Sequence, residues 1–396
     1  MSLWTNADVG RALAALEAEL PAAIKLRHEL HSHPDLSGSE GPTTLRLLDA
    51  LDATGSPDVH GGRVVRIGGD GPAIGLRAEL DALPLVEQTG LPWASTNGAS
   101  HACGHDVHMA ALVAVVRALR SVDAPLPVVA VLQPREEAVP SGAADLVRSK
   151  ALLSESVGAM IGVHVQPRLA AGTFSSMAGA VNASSDDFRI VLRAMGGHAG
   201  YPHVTGDPVL AASEVVVSVQ ALVSRRVSPL NPAVVTVGSI HAGHAPNVIP
   251  DVAVLEGTIR TFDSADRELL GSKLRQVVER AATVHDCSAE FVLNAGEPPL
   301  INDGPLANAT ERWIGSLTAR VPVDLRSCGS DDFSYYGEMC PSVMVFYGLG
   351  DAELSTPGLH HPAFAPSDDE VRGIAECLLA GYFAGCELLL GAPADS

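Results

Sequence analysis

The stretch Ser100–Arg120, SHACGHDVHMAALVAVVRALR, carries two signals in one run. Its first nine residues hold three histidines, a cysteine and an aspartate, side-chain types that bind divalent metals. The run after them is apolar nearly all round, so Val107 to Arg120 reads as a helix buried on every side. A turn-rich segment, Glu87 to Gly98, precedes both, with Thr-Gly, Leu-Pro and Asn-Gly pairs. The histidines therefore sit on a loop that feeds a helix N-terminus. Gly104, between Cys103 and His105, lets both turn toward one point.

Working outward, the segments on either side read as strands that end in chemistry. Ala73 to Leu80 is strand-like and delivers Glu79 and Asp81 at its C-terminal end; Val128 to Leu132 does the same for Glu136 and Glu137. After a helix from Gly142 to Leu153, Ala159 to Val165 reads as a central strand with His164 near its end and Pro167 closing it. In open α/β sheets, ligands bind outside the C-terminal strand ends. Before this core come an amphipathic helix from Asp8 to Leu30, kinked or split at Pro21, a helix from Gly41 to Ala53 and a strand from Arg63 to Ile67. His31 and His33, beside Pro34, read as capping or packing residues.

From Asp187 to Leu293 the order becomes strand, helix, strand, strand, helix, strand, the ferredoxin-like unit. The expected architecture is thus a catalytic α/β domain of residues 1–184 and 296–396, with an open, mostly parallel sheet, interrupted by an inserted βαββαβ domain of residues 185–295. A chain of 396 residues is long enough for both cores. The Val-rich strands of the insert leave an edge that can pair with a second copy, so a homodimer through this domain is expected. Past Pro298 the pattern is α/β again: a helix from Leu306, a loop Ser327 to Asp332, a strand Val343 to Tyr347, the turn Leu359-His360-His361-Pro362 and a helix from Asp368 to Leu389.

Charge excludes some functions. With 26 basic against 46 acidic side chains, a formal charge of −20 and no basic run, the composition argues against a surface for nucleic acid or anionic membranes. A small molecule or another copy of the chain is the expected partner. No charged leader precedes an apolar stretch and no segment reads as a membrane span, so a cytoplasmic protein is expected. Six cysteines without framework spacing suit reduced thiols.

Four separate positions thus supply Cys103 and His105, Glu136 and Glu137, His164, and His360 or His361. Thiolate, imidazole and carboxylate together suit Zn²⁺, with Mn²⁺, Co²⁺ or Ni²⁺ also acceptable. Five ligands exceed the need of one tetrahedral site, so two ions sharing a bridging group are expected. One glutamate of the pair can bind metal while the other carries a proton from the attacking water to the leaving group.

The motifs LRAELDALP (76–84), HACGHD (101–106), QPREE (133–137), GGHAGYPH (196–203), NVIP (247–250), GTIRTF (257–262), GSDDF (329–333) and LHHP (359–362) occur in the order of the M20 peptidase family. The chain resembles its amidohydrolase branch of hippurate hydrolases, N-acyl-amino-acid amidohydrolases and auxin-conjugate hydrolases. The resemblance implies hydrolysis of the amide bond of an N-acyl amino acid. It implies that Cys103 bridges two ions, that His105, Glu137, His164 and His360 complete the ligand set, that Glu136 is the general base and that Asp81 orients a ligand from outside the coordination sphere. His101 and His108 keep supporting or packing roles. His198, with His203 as the competing choice, would stabilise the oxyanion from this chain or from a partner, and Arg260, Asn247 and Ser330 would hold the substrate, Arg260 gripping its carboxylate. Three departures stand out: Glu79 and Asp331 where the branch has Asp and Glu, and Pro140-Ser141-Gly142 where it has a Gly-Gly pair. A dipeptidase or carboxypeptidase activity, as in other M20 branches, is the alternative. A metal-bound binding protein without turnover is the third, although such a protein has no use for an uncoordinated Glu136.

Overall fold

The computed structural model describes residues 4–350 and 357–391. It divides into two units, one made of Met1–Gly179, Ile301–Leu325 and Asp332–Ser396, the other of Ala180–Leu300 with Arg326–Asp331. In the first unit the described residues form a seven-stranded sheet in the order Arg63–Ile67, Val128–Gln133, Ala73–Glu79, Val157–Ala170, Ser342–Gly350, Thr173–Ser175, Val321–Pro322. Ala73–Glu79, Val128–Gln133, Val157–Ala170 and Ser342–Gly350 run parallel. Arg63–Ile67 lies antiparallel to Val128–Gln133, and Thr173–Ser175 to Ser342–Gly350. The sheet is therefore open and mostly parallel, and its inner strands are buried on both faces. From Ala73–Glu79 the chain steps first to one neighbour and then to the other. That reversal opens a crevice at the C-terminal strand ends.

The helix of the opening stretch runs His105–Arg120 and buries every residue except Arg117 and Arg120. It packs against the helices Asn6–Ser32 and Asp369–Leu390. Its N-cap, Gly104, sits at φ 84°, where a side chain is strained, and a Cβ there would lie 2.7 Å from Val165 Cγ2. Both the turn and the close approach to the neighbouring strand require glycine.

Several elements differ from their expected form. Asn6–Ser32 continues through Pro21 as one helix, because Leu16, Leu20, Ala23, Arg27 and Leu30 bury a continuous stripe on both sides of it. That burial outweighs the one hydrogen bond proline removes. The expected helix Gly142–Leu153 is two, Gly142–Arg148 and Ala151–Ser154, separated by Lys150 at φ 62°. There Ser149 Oγ donates to the Leu146 carbonyl and accepts the Ala151 N–H, taking over backbone partners the helix needs. The strand bearing His164 does not stop at Pro167 but runs Val157–Ala170. A register shift in its partner between Gly348 and Gly350 accommodates the proline, which has no N–H for the ladder.

The second unit is a four-stranded antiparallel sheet in the order Ser288–Ala295, Asp186–Arg193, Val252–Thr261, Ala233–Ala242, with the helices Pro208–Arg226 and Ser264–Val284. Connectivity and strand order are ferredoxin-like. Phe188, Ile190, Leu192, Val215, Val219, Leu255, Leu270 and Leu274 form its core.

The expectation that no segment reads as a membrane span needs correction. Among the described residues, Pro208–Arg226 and Asp369–Leu390 are long and apolar enough to cross a bilayer. Asp369–Leu390 is apolar because it is a core helix, mostly buried against Ile74, Ile161 and Tyr347 of the sheet. Pro208–Arg226 turns Ala211, Ala212, Val215, Val219 and Leu222 into the second unit's core.

Candidate metal centre

All five expected ligands lie in the first unit and converge at its strand ends. Cys103 comes from the loop, His105 from the first turn of its helix, Glu137 from the turn after Val128–Gln133, His164 from Val157–Ala170 and His360 from the turn before the last helix. Cys103 Sγ is 3.5 Å from His164 Nε2. Ligand atoms of Cys103, His105 and Glu137 all fall within 4.8 Å of one another. His360 Nε2 is 3.2 Å from Glu137 Oε1, and the His360 N–H donates to the Ala102 carbonyl at 2.8 Å, tying its turn to the cysteine loop. His361 instead accepts the Ala363 N–H on Nδ1; both rings are exposed, and it is their hydrogen-bond partners that separate the two histidines.

The histidine tautomers fit a metal. His105 Nδ1 is 2.8 Å from the Asp81 carbonyl and His164 Nδ1 is 2.7 Å from the Val165 carbonyl. A carbonyl only accepts, so each ring carries its proton on Nδ1 and keeps a lone pair on Nε2. His105 Nε2 is buried with no hydrogen-bond partner among the described residues, the state of an atom that needs a ligand. Burial, and then the carboxylates of Glu137 and Glu136, hold the Cys103 thiol well above its ordinary pKa. A divalent cation among these groups reverses that balance. Burial alone would raise Glu137, but hydrogen bonding to His360, with the neighbouring imidazoles, outweighs it and lowers its pKa.

Asp81 holds the glutamate turn as well as a histidine. Its carboxylate accepts the Glu136 and Glu137 N–H groups at 3.2 and 2.9 Å and the Ser37 hydroxyl at 2.6 Å, while its carbonyl takes His105. The preceding residue, Arg135, is left-handed at φ 51°, a strain of about 1–3 kcal/mol. Glu40 accepts the Arg135 N–H, and its guanidinium reaches Asp145, the His60 carbonyl and the Pro140 carbonyl. These contacts fix the turn that places Glu136 Oε2 3.8 Å from His105 Nε2.

The sequence reading passed over a buried polar network beneath this layer. Arg77 pairs with Glu79, Gln133 and Asp332; Asp332 also accepts from Gln133 and Ser141. On the other side Arg27 and His31 bind Asp106, and His31 also meets Glu87. The available signal was an arginine and a glutamate inside an otherwise apolar strand, which must be paired if the strand is central.

In the second unit, the Val248–His198 bridge and the Ala199 N–H to Asn247 carbonyl bond place His198 beside Asn247. His198 Nδ1 accepts the Gly200 N–H, which leaves Nε2 as the donor of the neutral ring. His203 lies on an exposed turn. Arg260 donates to Ser330 Oγ at 3.3 Å, so these two expected substrate residues are neighbours.

A parallel sheet that gathers a thiol, imidazoles and carboxylates at its strand ends is the frame of a metal-binding hydrolase. Residues 75–379 match the model of Peptidase family M20/M25/M40, and the chain belongs to that family, among its amidohydrolases. It is 37% identical over 371 residues to an N-acetylcysteine deacetylase of Bacillus subtilis, covering 91% of this chain and 94% of that one. An N-acetyldiaminopimelate deacetylase of Listeria monocytogenes is 33% identical over 368 residues, 90% and 97% of the two chains. Among solved structures, a Bacillus subtilis dinuclear metal-binding peptidase of the M20 family superposes with a TM-score of 0.79 at 32% identity, covering 95% of this chain and all of that one.

Proposed function

We propose that this protein hydrolyses the amide bond of N-acyl amino acids, releasing a carboxylic acid and the free amino acid. The observation that carries the reading is the convergence of Cys103, His105, Glu137, His164 and His360 beside a further glutamate, Glu136. Their donor atoms suit two divalent ions, Zn²⁺ or Mn²⁺ first and Co²⁺ or Ni²⁺ next, and Cys103 would be the ligand the two share. When bound, such ions acidify water and polarise the scissile carbonyl. Glu136 takes the proton of the attacking water as oxygen bonds to the acyl carbon, and returns it to the amine nitrogen as the C–N bond breaks. His198, from this chain or from a partner copy, would donate to the oxyanion through its Nε2–H, and Arg260, with Asn247 and Ser330, would hold the carboxylate of the amino acid. Deacetylase relatives make small acyl groups the first choice. Unpaired cysteines fit a reducing, cytoplasmic setting.

A hydrolysis panel of N-acetyl, N-benzoyl and long-chain N-acyl amino acids against dipeptides, after loading with Zn²⁺, Mn²⁺ or Co²⁺, tests this reading. Turnover confined to dipeptides moves the protein to the peptidase branches, and no turnover on any substrate favours a binding protein. A homodimer is also proposed, through the second unit. Its edge strand Ala233–Ala242 exposes Val234 and Ile240 and pairs on one side only among the described residues. Light scattering at micromolar concentration is expected to give twice the chain mass; a monomer would contradict it.

A further inference from the structure

His108 lies one helical turn beyond the metal loop and is 1% exposed. With Glu79, His105 and His164 it forms a cluster whose ligand atoms fall within 4.8 Å, so it invites assignment as a metal ligand. Its hydrogen bonds exclude that role. Nδ1 is 3.0 Å from Glu79 Oε2, and Nε2 accepts the Val165 N–H at 3.1 Å. A backbone N–H can only donate, so Nε2 has no proton, Nδ1 carries it, and Glu79 receives it. Both nitrogens are consumed and no lone pair remains for an ion.

The partner on the Nε2 side is informative. Val165 follows His164, and the Val165 carbonyl takes the Nδ1–H of His164. One peptide segment is thus held by His108 through its N–H while it orients the ring of His164 through its C=O. On the far side, Glu79 is fixed by Arg77, which in turn binds Gln133 and Asp332. All of these side chains are buried, so none has water as a substitute partner.

We propose that His108 is a positioning residue for His164: a neutral imidazole, its tautomer set by Glu79, that pins the Val165 peptide and so aims His164 Nε2 at Cys103. The proposal rests on the two-ion reading above. It assigns His108 to one ion of the pair, the one His164 binds, because no hydrogen bond among the described residues links it to the Cys103, His105 and Glu137 side chains.

Two isosteric variants divide the two hydrogen bonds. The carboxamide of asparagine reaches the position of Nδ1 and that of glutamine the position of Nε2. His108→Asn keeps the donor to Glu79 and loses the acceptor for Val165; His108→Gln keeps the acceptor. Both are stripped, titrated with Zn²⁺ against a chromophoric chelator to resolve two binding steps, and followed by apo-protein melting as a measure of fold. The expected result is a roughly 10–100-fold loss of affinity in one step only for His108→Asn, the range for losing an outer partner of a metal-bound histidine. His108→Gln is expected to stay within a few-fold of wild type in both steps. A folded His108→Asn with both steps unchanged, or with both weakened alike, overturns the proposal while leaving the two-ion reading intact. If His108→Asn does not fold, His108→Gln decides alone: two steps near wild type support the strut, and loss of either overturns it. A wild-type chain that binds fewer than two ions overturns the two-ion reading and the strut together.

Discussion

Glu136→Ala is expected to abolish hydrolysis while leaving metal content near that of the wild type. A positioned general acid–base contributes about 10²–10⁴-fold. In the proposed mechanism one carboxylate serves both the water and the leaving amine, so a loss of at least about 10³-fold in kcat is expected. The separation of effects follows from geometry. Glu136 stands 3.8 Å from His105 Nε2, on a turn that Asp81 holds through the Glu136 N–H and that the Arg135 guanidinium ties to Asp145, contacts that do not involve the Glu136 side chain. Elemental analysis alongside single-turnover rates is the measurement. Retained turnover would remove Glu136 from the mechanism, and lost metal would make it a ligand.

Cys103→Ser should weaken both ions together. Cys103 is close to His164 on one side and shares a cluster with His105 and Glu137 on the other. A serine hydroxyl in the same place ionises far less readily than a thiol and is a harder donor for a borderline ion. The loss should exceed the roughly 10–100-fold typical of an outer partner, in both binding steps. Loss of a single ion would mean that another group forms the bridge. This outcome differs in kind from that expected for His108→Asn, which touches one step only, so the two variants test each other.

Much of the site was legible because it is built from strand ends. Apolar runs ended by charged or histidine residues put Glu136, Glu137 and His164 at one edge of a sheet, and the order of elements alone identified the ferredoxin-like unit. What the sequence hides is pairing at long range. Arg77 and Asp332 are 255 residues apart, and no periodicity links them. His108 could be read no further than as a supporting or packing residue, because its partner on one side is a backbone N–H, which every strand offers. Pro167 and Pro21 misled in the same manner: a local rule for proline was overridden by burial and by a register shift that only the tertiary structure supplies.

The chain order of the first unit also bears on how the protein is made. That unit begins before the second and is finished only after it, since Ser342–Gly350 and the His360 turn emerge late from the ribosome. Cys103, His105, Glu137 and His164 are synthesised early, yet the sheet that aligns them lacks a central strand until the end. A nascent chain stalled within the second unit would expose these donors without the fifth. The full set of five donors can therefore come together only once the His360 turn has joined the first unit.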